Sequence, residues 1–180
     1  EMCIRDSSFS TTKGVASTLL HVLAAKGAID YDAPVVRYWP EFGAHGKDRI
    51  TLRHLLTHTA GIRGGDAVSS AAPGTAYWDE IVAGICAVEP EPDWVPGQRA
   101  GYHLTCGMTI LAEIVRRVDG RRFETYVRDE VFVPLGMDDC WVGMSSDVVE
   151  GYGARIGTMH STATGKQIPL DAFDAPEFLA

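Results

Sequence analysis

SFSTTKGVASTLL, residues 8–20, contains the start of the first predicted helix and a Ser-x-x-Lys motif at residues 10–13. Its serine and threonine hydroxyls can accept hydrogen bonds from the free N–H groups of a first helical turn. Apolar residues then recur at helical spacing, at Val15, Ala16, Leu19, Leu20, Val22 and Leu23. The pattern therefore predicts a helix that begins within this stretch and ends near Gly27.

Ser10 and Lys13 lie three residues apart, so a helix would place them on neighbouring parts of one face. A hydroxyl and an amine at that spacing can act as nucleophile and base, and the positive end of the helix would favour the anionic hydroxyl. The alternative is an N-cap serine followed by a solvated lysine. Nine serines and four lysines among 180 residues give about 0.2 Ser-x-x-Lys tetrapeptides by chance, so the downstream motifs must decide between the two.

Length and composition exclude several classes of protein. A chain of 180 residues predicts one domain with a sizeable core, and 46% hydrophobic with 22% charged residues is ordinary for a globular protein. A net charge of −8 without a basic run argues against binding to nucleic acid or to an anionic membrane surface. No apolar run approaches the roughly 20 residues of a membrane span, so we expect no transmembrane segment.

The four cysteines are scattered along the chain and form no CxxC pair; they are Cys3, Cys86, Cys106 and Cys140. Such spacing predicts buried thiols, not a disulfide framework or a zinc site, and it favours a reducing compartment. We therefore expect a cytoplasmic protein with no cofactor. The sequence contains nothing from which its oligomeric state can be predicted.

The N-terminal residues 1–7 do not resemble the rest of the chain. MCIRDS, residues 2–7, resembles the in-frame translation of a transposon-type sequencing adapter, a contaminant of metagenomic gene predictions. We expect residues 1–7 to be non-native, in which case the native N-terminal segment and any signal peptide are missing.

Further helices are predicted from apolar periodicity and from capping or stop residues: a turn over residues 34–39 that Pro40 ends, a short helix between Thr51 and Gly61, residues 78–88, a helix before Gly120, and residues 123–132 with a turn at 134–137. Residues 61–76 are rich in Gly, Ala and Ser and predict a mobile loop. Residues 154–160 and 167–170 predict two short strands joined by a turn.

His54 and His58 are four residues apart, which is the spacing of the two zinc ligands on a metalloprotease helix. Leu55 occupies the position where that motif requires a glutamate base, and no third ligand is evident. We therefore expect packed or hydrogen-bonded histidines and no metal site.

Four motifs, taken in order, resemble the serine β-lactamase and penicillin-binding-protein superfamily, in particular its class C-like branch of family VIII carboxylesterases and D-alanyl-D-alanine carboxypeptidases. They are Ser10-Thr11-Thr12-Lys13, LLTHTAG at 55–61, Pro96-Gly97 ahead of Tyr102, and PLGM at 134–137. The resemblance covers about residues 8–140. It implies a mainly α fragment of an α/β (α+β) β-lactamase-like fold, with most of the antiparallel sheet missing at both ends.

The resemblance also implies roles for three residues. Ser10 would attack the carbonyl carbon of a small ester or amide and form an acyl-enzyme. Lys13 would hold or remove the Ser10 proton, and the Tyr102 phenol would relay a proton to the leaving group. The alternative for Tyr102 is a core aromatic with a satisfied hydroxyl.

The second motif departs from that of the β-lactamases, which reads Tyr-x-Asn. Here Leu104 stands in the asparagine position and His103 lies between it and Tyr102. The departure argues against efficient penicillin or cephalosporin hydrolysis and favours an esterase. His103 could contact substrate or simply pack, and the sequence does not distinguish the two.

The third motif of the family, Lys-Thr-Gly or a His/Trp-x-Gly equivalent on a sheet strand, is not identified before Ala180. That strand normally supplies one oxyanion-hole N–H, and the loss of one such donor costs about 10²–10³ in rate. We therefore expect residues 8–180 to be an incomplete hydrolase domain, marginally folded and inactive by itself. A D-alanyl-D-alanine carboxypeptidase, a weak β-lactamase and a non-catalytic binding scaffold stay open as alternatives to an esterase.

Overall fold

The computed structural model describes residues 9–71, 78–156, 160–161 and 168–169. The described chain is mostly helical, as the sequence predicted, and it divides into two compact units. The larger unit comprises residues 13–142, and the smaller one comprises residues 1–12 and 143–180.

Short helices build the larger unit: α1 (Thr12–Ala25), α2 (Leu52–Leu56), α3 (Gly65–Ala71), α4 (Trp78–Ala87), α5 (Cys106–Asp119) and α6 (Phe123–Val127), which continues as a π-helical turn (Arg128–Phe132). Two 3₁₀ segments, Val35–Arg37 and Pro40–Gly46, connect α1 to α2. One hydrophobic core joins these elements, and its buried side chains include Leu19, Leu20, Trp39, Phe42, Leu55, Ile85, Ile110, Ile114 and Tyr126.

Glycines end the strongly periodic helices where the sequence predicted. Gly27, with φ of 71°, follows α1, and Gly120, with φ of 92°, is the C-cap of α5. These left-handed conformations carry little steric penalty in glycine. Gly136 adopts a similar conformation in the predicted turn after the π-helical segment. The predictions of α1, α4, α5 and α6 are confirmed.

The helix after Thr51 was predicted to reach Gly61, and it ends at Leu56 instead. Thr51 is its N-cap as expected, but His58 has a φ of 57°, which turns the chain out of the helix. Pro40 likewise begins a 3₁₀ segment where the sequence predicted only the end of one. Proline is tolerated in a first helical turn because that turn leaves its N–H unbonded in any case.

The prediction of a mobile loop over residues 61–76 is wrong for residues 65–71, which form α3. A Cβ on Gly84 of α4 would overlap Val68 of α3, so the two helices approach closely at this glycine. The tertiary contact and the bonds of Asp66 described below stabilise a segment whose glycines and serines favour a loop. Residues 72–77 lie outside the described part of the chain.

Two buried charges stabilise the larger unit, and the sequence indicated neither of them. Glu113 on α5 is fully buried and accepts hydrogen bonds from Arg116, Arg117 and the Trp78 indole. Lys47 is also fully buried, and its ammonium donates to the carbonyls of Cys86 and Val88 at the end of α4. A cation there satisfies carbonyls that the helix leaves unpaired.

The smaller unit contains a 3₁₀ turn (Phe9–Thr11), α7 (Ser146–Tyr152), a second 3₁₀ turn (Gly153–Arg155), and two antiparallel strands, β1 (His160–Ser161) and β2 (Ile168–Pro169). The strand pair lies where a hairpin was predicted, but each strand has two residues and the first starts at His160. The predicted turn at 161–166 lies almost entirely outside the described residues. Trp141-Val142-Gly143 forms a Trp-x-Gly triplet but lies outside both strands.

Candidate active site

The loop of the LLTHTAG motif pairs with the connection that precedes Tyr102. The N–H groups of Gly97 and Gly101 donate to the carbonyls of Thr59 and His58 over 3.1 and 2.8 Å. Trp94 adds an indole hydrogen bond of 3.0 Å to the Thr59 carbonyl. Two motifs that are about forty residues apart in sequence are thus hydrogen-bonded to each other just before Tyr102.

Asp66 of α3 holds the segment that follows Tyr102. Its carboxylate accepts hydrogen bonds from the N–H groups of Leu104, Thr105 and Cys106, at 2.9, 2.8 and 2.8 Å. These groups lie at the start of α5, where the N-cap Thr105 makes no side-chain capping bond. Burial raises the pKa of Asp66, but the three backbone N–H groups outweigh it and lower that pKa below its usual value.

Lys13 and Tyr102 lie close together. The Lys13 ammonium is 4.8 Å from the centre of the Tyr102 ring. Its Nζ also donates a hydrogen bond of 2.8 Å to the carbonyl of Leu104. The tyrosine side of this pair is open to solvent, since Tyr102 is 49% exposed. Tyr102 is therefore not a core aromatic residue.

His58 packs against the same tyrosine, with ring centres 4.5 Å apart. Its Nδ1 accepts a hydrogen bond of 3.1 Å from the His103 N–H. His54 caps α2 reciprocally with Thr51. Both histidines are hydrogen-bonded, as expected, and burial is the main cause that lowers their pKa values. The described residues contain no group of three or more metal-ligating side chains.

His103 is fully buried, with its ring against Gly107 and 5.3 Å from the ring of His58. Neither ring nitrogen has a hydrogen-bond partner among the described residues. Burial, followed by the proximity of His58, lowers the pKa of His103 to about 4, so the ring is neutral at pH 7. Of the two roles left open by the sequence, this placement favours packing.

Ser10 lies in the 3₁₀ turn Phe9–Thr11 and is exposed. This turn belongs to the smaller unit, whereas Lys13 and Tyr102 belong to the larger one. The pairing of Ser10 with those two residues stays a prediction.

The remaining sequence predictions concern cysteines and membranes. Cys86, Cys106 and Cys140 are free thiols; Cys106 is buried as predicted, whereas Cys86 and Cys140 are only partly buried, and burial raises the pKa of Cys106. Cys3 lies outside the described residues. Within the described part of the chain, no helix has the length and apolar character needed to cross a membrane.

Comparison with known proteins identifies the family. The β-lactamase family model matches residues 7–176, so the chain belongs to the β-lactamase family. The esterase/β-lactamase LipL of Mycobacterium tuberculosis is 36% identical over 135 residues, which are 75% of this chain and 30% of LipL.

Two crystal structures share the fold. A family VIII carboxylesterase superposes with a TM-score of 0.69 at 34% identity, covering 84% of this chain and 40% of the esterase. A penicillin-binding protein homologue from Caulobacter crescentus superposes with a TM-score of 0.69 at 33% identity, covering 85% of this chain and 39% of the homologue. The resemblance drawn from the four motifs is confirmed, and the chain spans less than half the length of these relatives.

Proposed function

We propose that this chain carries the nucleophile and proton-relay residues of a serine hydrolase that cleaves small carboxylic esters, or amides, through an acyl-Ser10 intermediate. The observation that supports it most is the contact of Lys13 with Tyr102, which lies on a segment held by His58 and Asp66. Groups in acid–base catalysis must be held in place. Here the backbone N–H groups of residues 103, 104 and 105 are each hydrogen-bonded to His58 or Asp66.

The proposed reaction needs no cofactor. Ser10 Oγ attacks the carbonyl carbon, and its proton passes to the Lys13 amine. The tetrahedral intermediate collapses to the acyl-enzyme as Tyr102 gives its phenolic proton to the departing alkoxide, and Lys13 returns a proton to the phenolate. Water then attacks the acyl-enzyme by the reverse proton path, which releases the acid and regenerates Ser10.

The second motif favours esters over β-lactams. The asparagine that contacts the substrate amide in β-lactamases is replaced by Leu104, and no side-chain amide lies between Tyr102 and Cys106. The Leu104 backbone is already engaged by Lys13 and Asp66. Because the Leu104 side chain cannot hydrogen-bond a substrate amide, we expect esters to be the better substrates.

Labelling of Ser10 tests the proposal. A fluorophosphonate probe and a 4-nitrophenyl ester are applied to the product of the complete gene, and the acylated residue is located by mass spectrometry. We expect labelling of Ser10, its loss in Ser10→Ala, and a fall of about 10²–10⁴ in acylation rate in Tyr102→Phe. Ser17→Ala is the matched control, because Ser17 lies one turn from Lys13 and bonds its carbonyl.

Two other outcomes of this experiment would support a different function. No reaction of the complete gene product with either reagent would support a binding scaffold instead. Stable acylation by labelled penicillin, lost in Ser10→Ala, would support a carboxypeptidase or a weak β-lactamase.

The 180-residue chain alone provides a separate test. It spans 30% of LipL and 40% of the family VIII carboxylesterase, and it lacks an identified third motif. We expect it to show no burst of 4-nitrophenol, since one missing oxyanion donor costs about 10²–10³ in rate. A rapid burst from this chain would contradict the prediction that it is an inactive part of the domain.

A further inference from the structure

We propose that His58 is a positioning residue for Tyr102, and that it acts as the neutral tautomer with its proton on Nε2. The inference rests on the proposed function, because it assumes that Tyr102 relays a proton.

His58 holds the backbone on both sides of Tyr102. Its carbonyl accepts a hydrogen bond of 2.8 Å from the N–H of Gly101, the residue before the tyrosine. Its Nδ1 accepts one of 3.1 Å from the N–H of His103, the residue after it. The imidazole also packs on the phenol ring, with centres 4.5 Å apart. His58 therefore constrains the tyrosine through both of its neighbours and through its ring.

The bond to His103 determines the tautomer. A backbone N–H can only donate, so Nδ1 must be the acceptor and cannot carry a proton. A neutral imidazole then has its proton on Nε2. Protonation of Nδ1 would set two N–H groups against each other and break the bond.

The backbone of His58 explains why few residues could replace it. Its φ of 57° lies in the left-handed region, which disfavours most side chains. Asparagine and glycine both accept this conformation. Asparagine also carries an amide oxygen as many bonds from Cα as the histidine Nδ1, whereas glycine has no acceptor. The two substitutions therefore separate the hydrogen bond from the backbone geometry.

The charged and titratable groups around His58 keep the ring neutral. Burial is the first cause that lowers its pKa, and Lys13 of α1 adds to it, while Asp66 of α3 opposes both. Tyr102 and His103 face the ring from the segment before α5. We expect the Nδ1 bond to persist through neutral pH and to be lost only as the pH falls through this lowered pKa.

A spectroscopic experiment tests the tautomer without any activity. ¹⁵N NMR of the complete gene product at pH 8 should show an unprotonated Nδ1 and a protonated Nε2 for His58. A proton on Nδ1 would overturn the inference. His21, an exposed histidine of α1, provides the comparison spectrum.

A kinetic experiment tests the positioning role in the complete gene product. We expect His58→Gly to lower Ser10 acylation about 10–100-fold, and His58→Asn to restore most of the rate. In a Tyr102→Phe background His58→Gly should have no further effect, because a residue that acts through Tyr102 has nothing left to position. Independent, multiplicative losses would overturn the inference.

The two proposals fail in different ways. If Ser10 is never labelled, the proposed function fails. The proton-relay role of Tyr102 then fails with it, whichever tautomer His58 adopts. If Ser10 is labelled but His58→Gly and His58→Asn lose activity equally, the proposed function stands and the positioning role is excluded. Melting temperatures of both variants separate a lost bond from a lost fold.

Discussion

Gly61 shows how one residue determines the geometry of the loop beneath Tyr102. Its φ is 73°, and a Cβ built on it would overlap the Trp94 indole. The same indole donates to the Thr59 carbonyl, so the glycine lets the proline-rich connection lie directly on the LLTHTAG loop. Two separate reasons, backbone conformation and close approach, therefore require glycine here.

Substitution of two glycines by alanine separates these reasons. Gly27 has a similar φ of 71°, but no atom lies within 4 Å of the point that a Cβ would occupy. Gly27→Ala should therefore lose only about 1–2 kcal/mol of unfolding free energy, from backbone strain. Gly61→Ala should lose about 1–3 kcal/mol more, because Trp94 must move. Urea unfolding followed by tryptophan fluorescence measures both, and equal losses would contradict the steric argument.

At the scale of elements, α5 depends on a cap from another helix. Thr105 makes no side-chain capping bond, and Asp66 of α3 accepts the N–H groups of the first turn instead. A carboxylate at a helix N-terminus satisfies unpaired donors and opposes the helix dipole. The stability of α5 and the position of residues 102–105 are thus coupled.

Removal of this cap should destabilise the larger unit. We expect Asp66→Ala to lower the unfolding free energy by about 2–3 kcal/mol, since charge-assisted bonds are lost and the N–H of the buried Cys106 stays unpaired. Asp48→Ala is the matched control, because Asp48 is exposed, and it should change stability by less than about 0.5 kcal/mol. Equal effects of the two substitutions would show that Asp66 does not cap α5.

For the molecule as a whole, buried titratable groups determine how stability depends on pH. The folded pKa of His103 is about 4 against 6.5 for an unperturbed histidine, so between these values the unfolded chain binds a proton that the native chain does not. Stability therefore falls as the pH drops from about 6.5 to 4, by up to about 3 kcal/mol. Asp66 and Glu113 have pKa values lowered from 3.8 and 4.5, so their contributions to stability are lost as the pH falls below those unfolded values.

Substitution of His103 should remove most of this slope. We expect His103→Leu to flatten the loss of unfolding free energy between pH 6.5 and 4, with a residual slope from His54 and His58, whose pKa values are also lowered. His45→Asn, which removes an exposed imidazole at a φ of 58°, serves as the control. All four tryptophans lie within residues 13–142, so fluorescence in urea at each pH reports on the larger unit. An unchanged slope in His103→Leu would contradict the assignment.

Local patterns in the sequence determined the strongly periodic helices, because burial of an apolar stripe and a terminal glycine are properties of a single segment. α1 with Gly27 and α5 with Gly120 were predicted for that reason. The order of four motifs was enough to identify the β-lactamase family.

Only the tertiary structure decided the features that depend on contacts distant in sequence. α3 forms in a segment of glycine and serine because Val68 meets Gly84 and Asp66 caps α5, and neither partner is visible in the segment itself. The burial of Lys47 and the contacts of His58 on both sides of Tyr102 likewise involve residues more than thirty positions away. Local propensity is weak compared with such contacts, so the sequence pointed to Lys13 and Tyr102, and only packing revealed how Asp66 and His58 hold the segment around Tyr102.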